Sequence, residues 1–393
     1  MLVTLTVYAD YQATTPVDPR VVAAMEPFWS DAFANPHSSD HAAGWRAAAV
    51  VDEAASAVAA LIGADSGEIT FTSGATESNN LALIGLARRA PRGRHRVLVS
   101  AIEHKSVLAA ARSLGVREGL AVETIPVNAD GDLRLDALSE MLDDSVLAVS
   151  VMAVNNEVGV IQDISRIADL VRPHGALLHC DAAQAPCAMD TKMLAARADL
   201  VSLSGHKIYG PKGIGALYVR HGTETQIEPL IYGGDQQRGL RAGTVPVPLC
   251  VGLGAAAGIL CEAGTEERRA VGELRDIFVD QLKSSVPAVQ LNGPSAERRH
   301  PGNANLRFGG HDAQDILAAV QPGLAASTGA ACTSGIPEPS HVLKALGLTE
   351  SEVAASVRFS FGRFSTGAEV TNAVRIVEDA ITKLEASRLP DTV

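Results

Sequence analysis

Between about residue 65 and residue 220 the chain alternates short, β-rich apolar runs with stretches of helical periodicity. The apolar runs are ITFT, RVLVS, VETIPV, VLAVSVM, ALLHCD, LVSLS and GALYV, and the helical stretches include ESNNLALIGLARRA, LRLDALSEML and DISRIADLVRPHG. Strands apolar on both faces must be covered on both faces, and helical crossovers join them in parallel. The pattern therefore predicts an α/β fold with a mainly parallel, seven-stranded sheet. After about residue 255 the texture changes to a long helical stretch ending at QLKSS, then ANLRF, DAQDILAAV, GLAAST, SVRFSF and a terminal helix. That reads as a smaller α+β domain.

In an open α/β sheet the ligand site lies beyond the carboxyl ends of the strands. The polar clusters fall there: TSGATESNN after ITF, EHKS after LVSAI, NNEVG after VMAV, DAAQ after LLHC, and SGHK after LVSL. In TSGATESNN a Gly and a Thr at a helix start offer N–H groups and a hydroxyl to an anion. A plain helix cap, with Ser73 or Thr76 closing the end and Glu77 in the first turn, explains the same residues. Asp181, leaving an apolar strand, needs a cation or donor as partner, for which a protonated heteroaromatic nitrogen would serve; a simple cap is the rival reading. Lys207 stands beside the expected anion site, where a desolvated lysine becomes a nucleophile or base. A phosphate cradle, a carboxylate for a ring nitrogen, a histidine able to stack (His104) and an amine together are what pyridoxal 5'-phosphate requires.

Bulk properties narrow the partners. The formal net charge of −12 argues against direct binding to nucleic acid, which needs clustered Lys and Arg. No run of about 18 apolar residues is evident, so no membrane partner is expected. The opening MLVTLTVYADYQATTP has neither a basic n-region nor a cleavage site, which points to the cytoplasm. The five cysteines form no CxxC pair and no His-spaced set, so neither a disulfide framework nor a metal site is expected. Cys180, Cys187, Cys250 and Cys261 sit in apolar company and read as small buried hydrophobes.

The series DYQATTPVDPRV, NPHSSDHAAG, TSGATESNN, EHKSV, NNEVGVIQDI, HCDAAQ, SLSGHKIYGPKGIGALYVR, RAGTVPV and STGAACTSG, spread over nearly the whole chain, resembles the cysteine desulfurases of the NifS/IscS type. These are fold-type-I pyridoxal phosphate enzymes of the class-V aminotransferase family. The resemblance implies a large cofactor-binding domain over residues 15–255, with 1–14 and 256–393 forming a small domain that carries a catalytic cysteine loop. Lys207 is implied to bond the cofactor and later to move a proton. Asp181 would partner the pyridine nitrogen, Gln184 the ring hydroxyl, and His104 would stack on the ring and take part in proton transfer. Ala75, Thr76, Ser204 and His206 match the phosphate cup, and Thr244 a residue reaching the phosphate in a neighbouring subunit, which implies a homodimer. Asn155 and Arg358 look like the pair that holds the substrate carboxylate, with Asn155 also near the cofactor.

Cys332, in GLAASTGAACTSGIPEPSHVL, is implied to be the nucleophile that takes sulfur from L-cysteine as a persulfide, leaving L-alanine. Gly, Pro and small residues around it predict a loop that moves, since one sulfur must be collected and delivered elsewhere. Where the family usually has SGSACTS, this chain has TGAACTS, with Ala330 in place of Ser. The acceptor is expected to be a partner or scaffold protein, in iron–sulfur cluster assembly (a metal-binding pathway), tRNA thiolation or DNA phosphorothioation; all three stay open. The alternatives are another fold-type-I enzyme, such as a selenocysteine lyase or an aminotransferase, and an assembly protein that only docks a sulfur acceptor.

Overall fold

A computed structural model describes residues 6–329 and 339–387. Its strands, in chain order, are β1 (Val7–Tyr8), β2 (Ile69–Thr72), β3 (Arg96–Ser100), β4 (Ala121–Ile125), β5 (Val146–Ser150), β6 (Leu177–Asp181), β7 (Leu200–Ser204), β8 (Gly215–Val219), β9 (Val289–Leu291), β10 (Asn303–Phe308), β11 (Leu324–Ala325) and β12 (Ser356–Ser360). The central sheet has seven strands in the order β2-β8-β7-β6-β5-β3-β4. Every residue of β2, β5, β7 and β8 is buried, as the unbroken apolar runs require. Within this sheet only β8 opposes its neighbours, β2 and β7. The β7–β8 connection, 205–214, is too short for a helical crossover of about a dozen residues or more, so the chain must turn back. Lys207 sits in that turn, within the short helical turn Gly205–Lys207.

The smaller core gathers around the antiparallel sheet β12-β10-β9. The two-stranded pair β1–β11 joins it, so residues near the amino terminus lie with the carboxyl-terminal part of the chain. Helix Val247–Ser285 serves both cores: Cys250, Leu253, Ala257 and Leu260 pack in the larger, and Val271, Phe278 and Leu282 in the smaller. The change of texture near residue 255 thus falls inside a helix. One window of this helix is long and apolar enough to cross a membrane, but 50% of that window is buried inside the fold, as in a core helix. Cys261 departs from expectation, because it is exposed, whereas Cys180 and Cys250 are buried. Apolar neighbours in sequence do not share a helix face: Ala257, Leu260 and Gly264 take the inner side, and Cys261 faces outward.

Candidate active site

The carboxyl ends of β2, β3, β6 and β7 open onto one cavity of about 620 Å³, whose wall includes Ala75, Thr76, His104, Asp181, Gln184, Ser204, His206, Lys207 and Arg358. A second cavity, of about 650 Å³, is lined from residues 28–50 and gathers none of these strand-end groups.

At one end of the site, helix Ala75–Arg88 begins at Gly74, whose φ of 146° is comfortable only for glycine. No side chain caps this helix. Glu77 instead accepts from the Ser73 N–H at 2.7 Å and pairs with Arg241 at 2.9 Å. The simple capping reading of TSGATE therefore fails, and Gly74, Ala75 and Thr76 line the cavity, where the uncapped first-turn N–H groups suit an anion. A Cβ placed on Gly74 would come 3.8 Å from Ser204 Oγ, so the end of β7 closes the same cradle. His206 Nδ1 lies 3.0 Å from Thr14 Oγ1. Burial, with the nearby Lys207 and Lys212, pushes the His206 pKa down to about 4, leaving a neutral ring.

At the other end, Asp181 is buried as the last residue of β6. Asn79 Nδ2 donates to its Oδ2 at 2.8 Å and the Ala183 N–H to its Oδ1 at 3.0 Å. These donors are neutral, so the carboxylate is held in place but its charge is uncompensated by them, which suits a protonated ring nitrogen. Gln184 Nε2 donates to Gln12 O at 2.9 Å. His104 caps helix Lys105–Ser113 by accepting from the Ser106 N–H at 3.1 Å through Nδ1, which leaves the proton of the neutral ring on Nε2. Desolvation by the cavity walls lowers its pKa.

Lys207 Nζ donates to two main-chain carbonyls, Gln12 O at 2.6 Å and Ala13 O at 2.9 Å. Burial, then the Arg358 guanidinium, brings its pKa down to about 8, so a useful fraction is free amine near neutrality. Arg358, on β12, donates through Nη1 to Asn156 O at 2.7 Å and through Nη2 to Asp10 Oδ1 at 2.6 Å and Ser327 Oγ at 2.9 Å. Its Nε is buried without a partner, a donor suited to a substrate carboxylate.

Two expected residues stand apart. Asn155 is fully buried behind the wall: its Nδ2 donates to Ile102 O at 3.0 Å, and its Oδ1 accepts from the Glu157 and Val158 N–H groups at 2.8 and 2.9 Å. The side chain is spent on the 155–158 turn, and it is Asn156 that lines the cavity and meets Arg358. Thr244 is exposed and off the wall of its own chain's cavity. Cys332 lies outside the described residues.

Three functional residues escaped the sequence reading. Gln12 serves as the carbonyl anchor for Lys207 and Gln184, and Asn79 holds Asp181. Glu103, wholly buried on the wall, accepts from the Met152 N–H at 2.6 Å through Oε1, while its Oε2 has no partner. Burial, then the nearby Asp181, raises its pKa well above the usual carboxylic range. Its one sequence signal is a carboxyl at a strand end, beside His104.

The aminotransferase class-V family profile matches residues 7–372. The chain belongs to the class-V aminotransferase family. It is 46% identical over 380 residues to "Cysteine desulfurase IscS" of Rickettsia bellii, covering 97% of this chain and 92% of that protein. It is 45% identical to the protein of the same name in Rickettsia rickettsii, covering 98% and 93%. Among solved structures, a NifS-like protein superposes with a TM-score of 0.89 at 32% identity, covering 96% of this chain and 100% of that one. "SspA in complex with cysteine" gives 0.80 at 35%, covering 91% and 99%. DndA from Streptomyces lividans gives 0.76 at 38%, covering 89% and 98%. Members of the class-V family use pyridoxal 5'-phosphate, and this member's uncapped helix start, buried carboxylate and depressed lysine fit that cofactor.

Proposed function

We infer that this class-V family member is a cysteine desulfurase that converts L-cysteine to L-alanine and passes the sulfur on as a persulfide. The single observation that carries the cofactor chemistry is Lys207: an amine of lowered pKa, on carbonyls alone, between an anion cradle and a buried carboxylate. The near-full-length identity to cysteine desulfurases supports the choice of substrate. Pyridoxal phosphate, when bound, supplies an electron sink for the substrate's α-carbon.

The chain's own residues do the rest. Ala75, Thr76, Ser204 and the neutral His206 hold the phosphate. Asp181, kept in place by Asn79, holds the ring nitrogen protonated, and Gln184 donates to the ring hydroxyl. Arg358 takes the substrate carboxylate, and the 155–158 turn, locked by Asn155, keeps Asn156 O on its Nη1. Lys207 Nζ anchors the cofactor and afterwards carries the proton at the α-carbon, with His104 as the second proton carrier. The Cys332 thiolate attacks the sulfur of cysteine; the carbon–sulfur bond breaks, and the carbon skeleton takes up a proton and leaves as alanine.

A homodimer acting in the cytoplasm completes this reading. In support, Thr244 is exposed away from its own cavity, and the aromatic side chains of Trp29, Phe33 and Trp45 are exposed along one stretch of chain. The sulfur goes to an acceptor protein, for iron–sulfur assembly or for thio-modification of tRNA or DNA.

Incubation with L-cysteine tests the reading, with alanine and sulfide quantified under reducing conditions. Wild-type protein is expected to release both, Lys207→Ala neither, and Cys332→Ser no sulfide while keeping the visible absorbance of the cofactor. A Cys332→Ser protein with undiminished turnover would instead indicate a lyase or aminotransferase.

A further inference from the structure

Two residues beyond Lys207, Tyr209 has a φ of 63°, a left-handed conformation unusual for a bulky side chain. Such a backbone persists where its surroundings over-determine it. Here the Tyr209 N–H donates to Thr15 Oγ1 at 2.9 Å, its carbonyl accepts from the Asp18 N–H at 3.0 Å, and its hydroxyl accepts from the Arg363 N–H at 2.6 Å. The Arg363 guanidinium lies 4.0 Å from the Tyr209 ring centroid, donates to Asp18 Oδ2 at 2.8 Å and to Glu267 Oε2 at 2.8 Å. Asp18 and Arg363 are nearly buried, with side-chain exposures of 2% and 9%, so this cluster is not a solvated surface pair.

The cluster closes a circuit through the active site. Arg363 follows β12, the strand of Arg358. From Asp18 the chain leads back through Thr15, whose N–H donates to His206 O at 2.9 Å, and through Ala13 and Gln12, whose carbonyls hold Lys207 Nζ. It then reaches Asp10, which pairs with Arg358 at 2.6 Å, and Ala9, whose carbonyl accepts from the Ser360 N–H at 2.7 Å. One strap, residues 9–18, thus connects the group for the substrate carboxylate to the group at the substrate amine, and the Asp18–Tyr209–Arg363 cluster locks its far end.

We propose that Asp18, Tyr209 and Arg363 form a positioning clasp that fixes the spacing between Arg358 and Lys207, so that the site accepts amines bearing an α-carboxylate. The clasp rests on the roles given above to Arg358 and Lys207, but not on the fate of sulfur. Asp18, Tyr209 and Arg363 are not among the residues that line the cavity. They hold two binding groups, Arg358 on β12 and Lys207 after β7, on the wall of one cavity.

The test titrates holoenzyme with L-alanine and with ethylamine, which differ by the carboxylate, and follows the visible absorbance of the bound cofactor. In Arg363→Lys the half-saturating concentration of L-alanine should rise about fivefold or more, the scale of one weakened hydrogen-bonded contact. That of ethylamine should stay unchanged. Tyr209→Phe, which removes only the acceptor for the Arg363 N–H, should move the same way and covers the case in which the Arg363 variant fails to fold. Equal weakening of both ligands would mean mere loosening of the fold and would overturn the clasp, as would no change in either. Absence of sulfide release by the wild-type protein would sink the desulfurase reading while leaving the alanine–ethylamine comparison intact.

Discussion

Lys207 owes its reactivity to position: two carbonyls orient it, and burial with Arg358 nearby disfavours its charge. Cofactor-free protein should therefore take up pyridoxal phosphate at a rate that rises with pH to a plateau, with a midpoint near 8 and not near the ordinary lysine value of 10.5. Stopped-flow absorbance checks this. Between those two values the unfolded chain holds a proton that the folded chain lacks, so this lysine's contribution makes the cofactor-free fold more stable as pH rises through that window, and below about 8 its penalty is complete. Asp181→Asn removes the anion but keeps the shape; sulfide release should fall about a hundredfold, the loss expected when one preorganised electrostatic partner is removed. A fall of less than about tenfold would deny Asp181 its role. At this scale much of the site could be read from chain order, because Asp181 and Ser204 end strands, His104 caps the helix after β3, and Lys207 lies in the turn directly after β7. Asn155 could not be placed in that way. Two adjacent asparagines look alike in sequence, and only the turn decides that Asn155 is spent on Ile102, Glu157 and Val158 while Asn156 lines the cavity.

The element that carries most chemistry is helix Ala75–Arg88, whose start is left uncapped at Gly74. Gly74→Val should weaken cofactor affinity by about tenfold or more, since a β-branched residue at that φ costs roughly 1–3 kcal/mol and the cradle must shift. Equilibrium dialysis of pyridoxal phosphate checks it; unchanged affinity would mean that the phosphate lies elsewhere. The strands of the large sheet were legible because burial on both faces forces continuous apolar runs, and β2, β3, β7 and β8 match theirs end for end. The short strands β1 and β9 left no such trace, because two or three residues are too few to show an apolar run or an alternation. Helix Val247–Ser285 blurred the passage between the two cores, and the outward turn of Cys261 is invisible without its helical phase.

For the whole molecule, the proposed shared-site dimer makes a sharp prediction. Thr244→Glu would place an anion against the neighbouring subunit's phosphate and should abolish sulfide release, as should Lys207→Ala in its own site. Mixed dimers of the two variants contain one site with both intact residues and should regain activity, whereas separately acting subunits would show no recovery on mixing. The charge of −12 fits the proposed transfer of sulfur to an acceptor protein, since a direct grip on nucleic acid needs clustered Lys and Arg. All of these expectations depend on which amine holds the cofactor. Reduction of the holoprotein with borohydride, followed by digestion and mass spectrometry, measures that directly. A pyridoxyl label on the peptide carrying Lys207 is predicted; a label on Lys212 or any other lysine, or none, would contradict it.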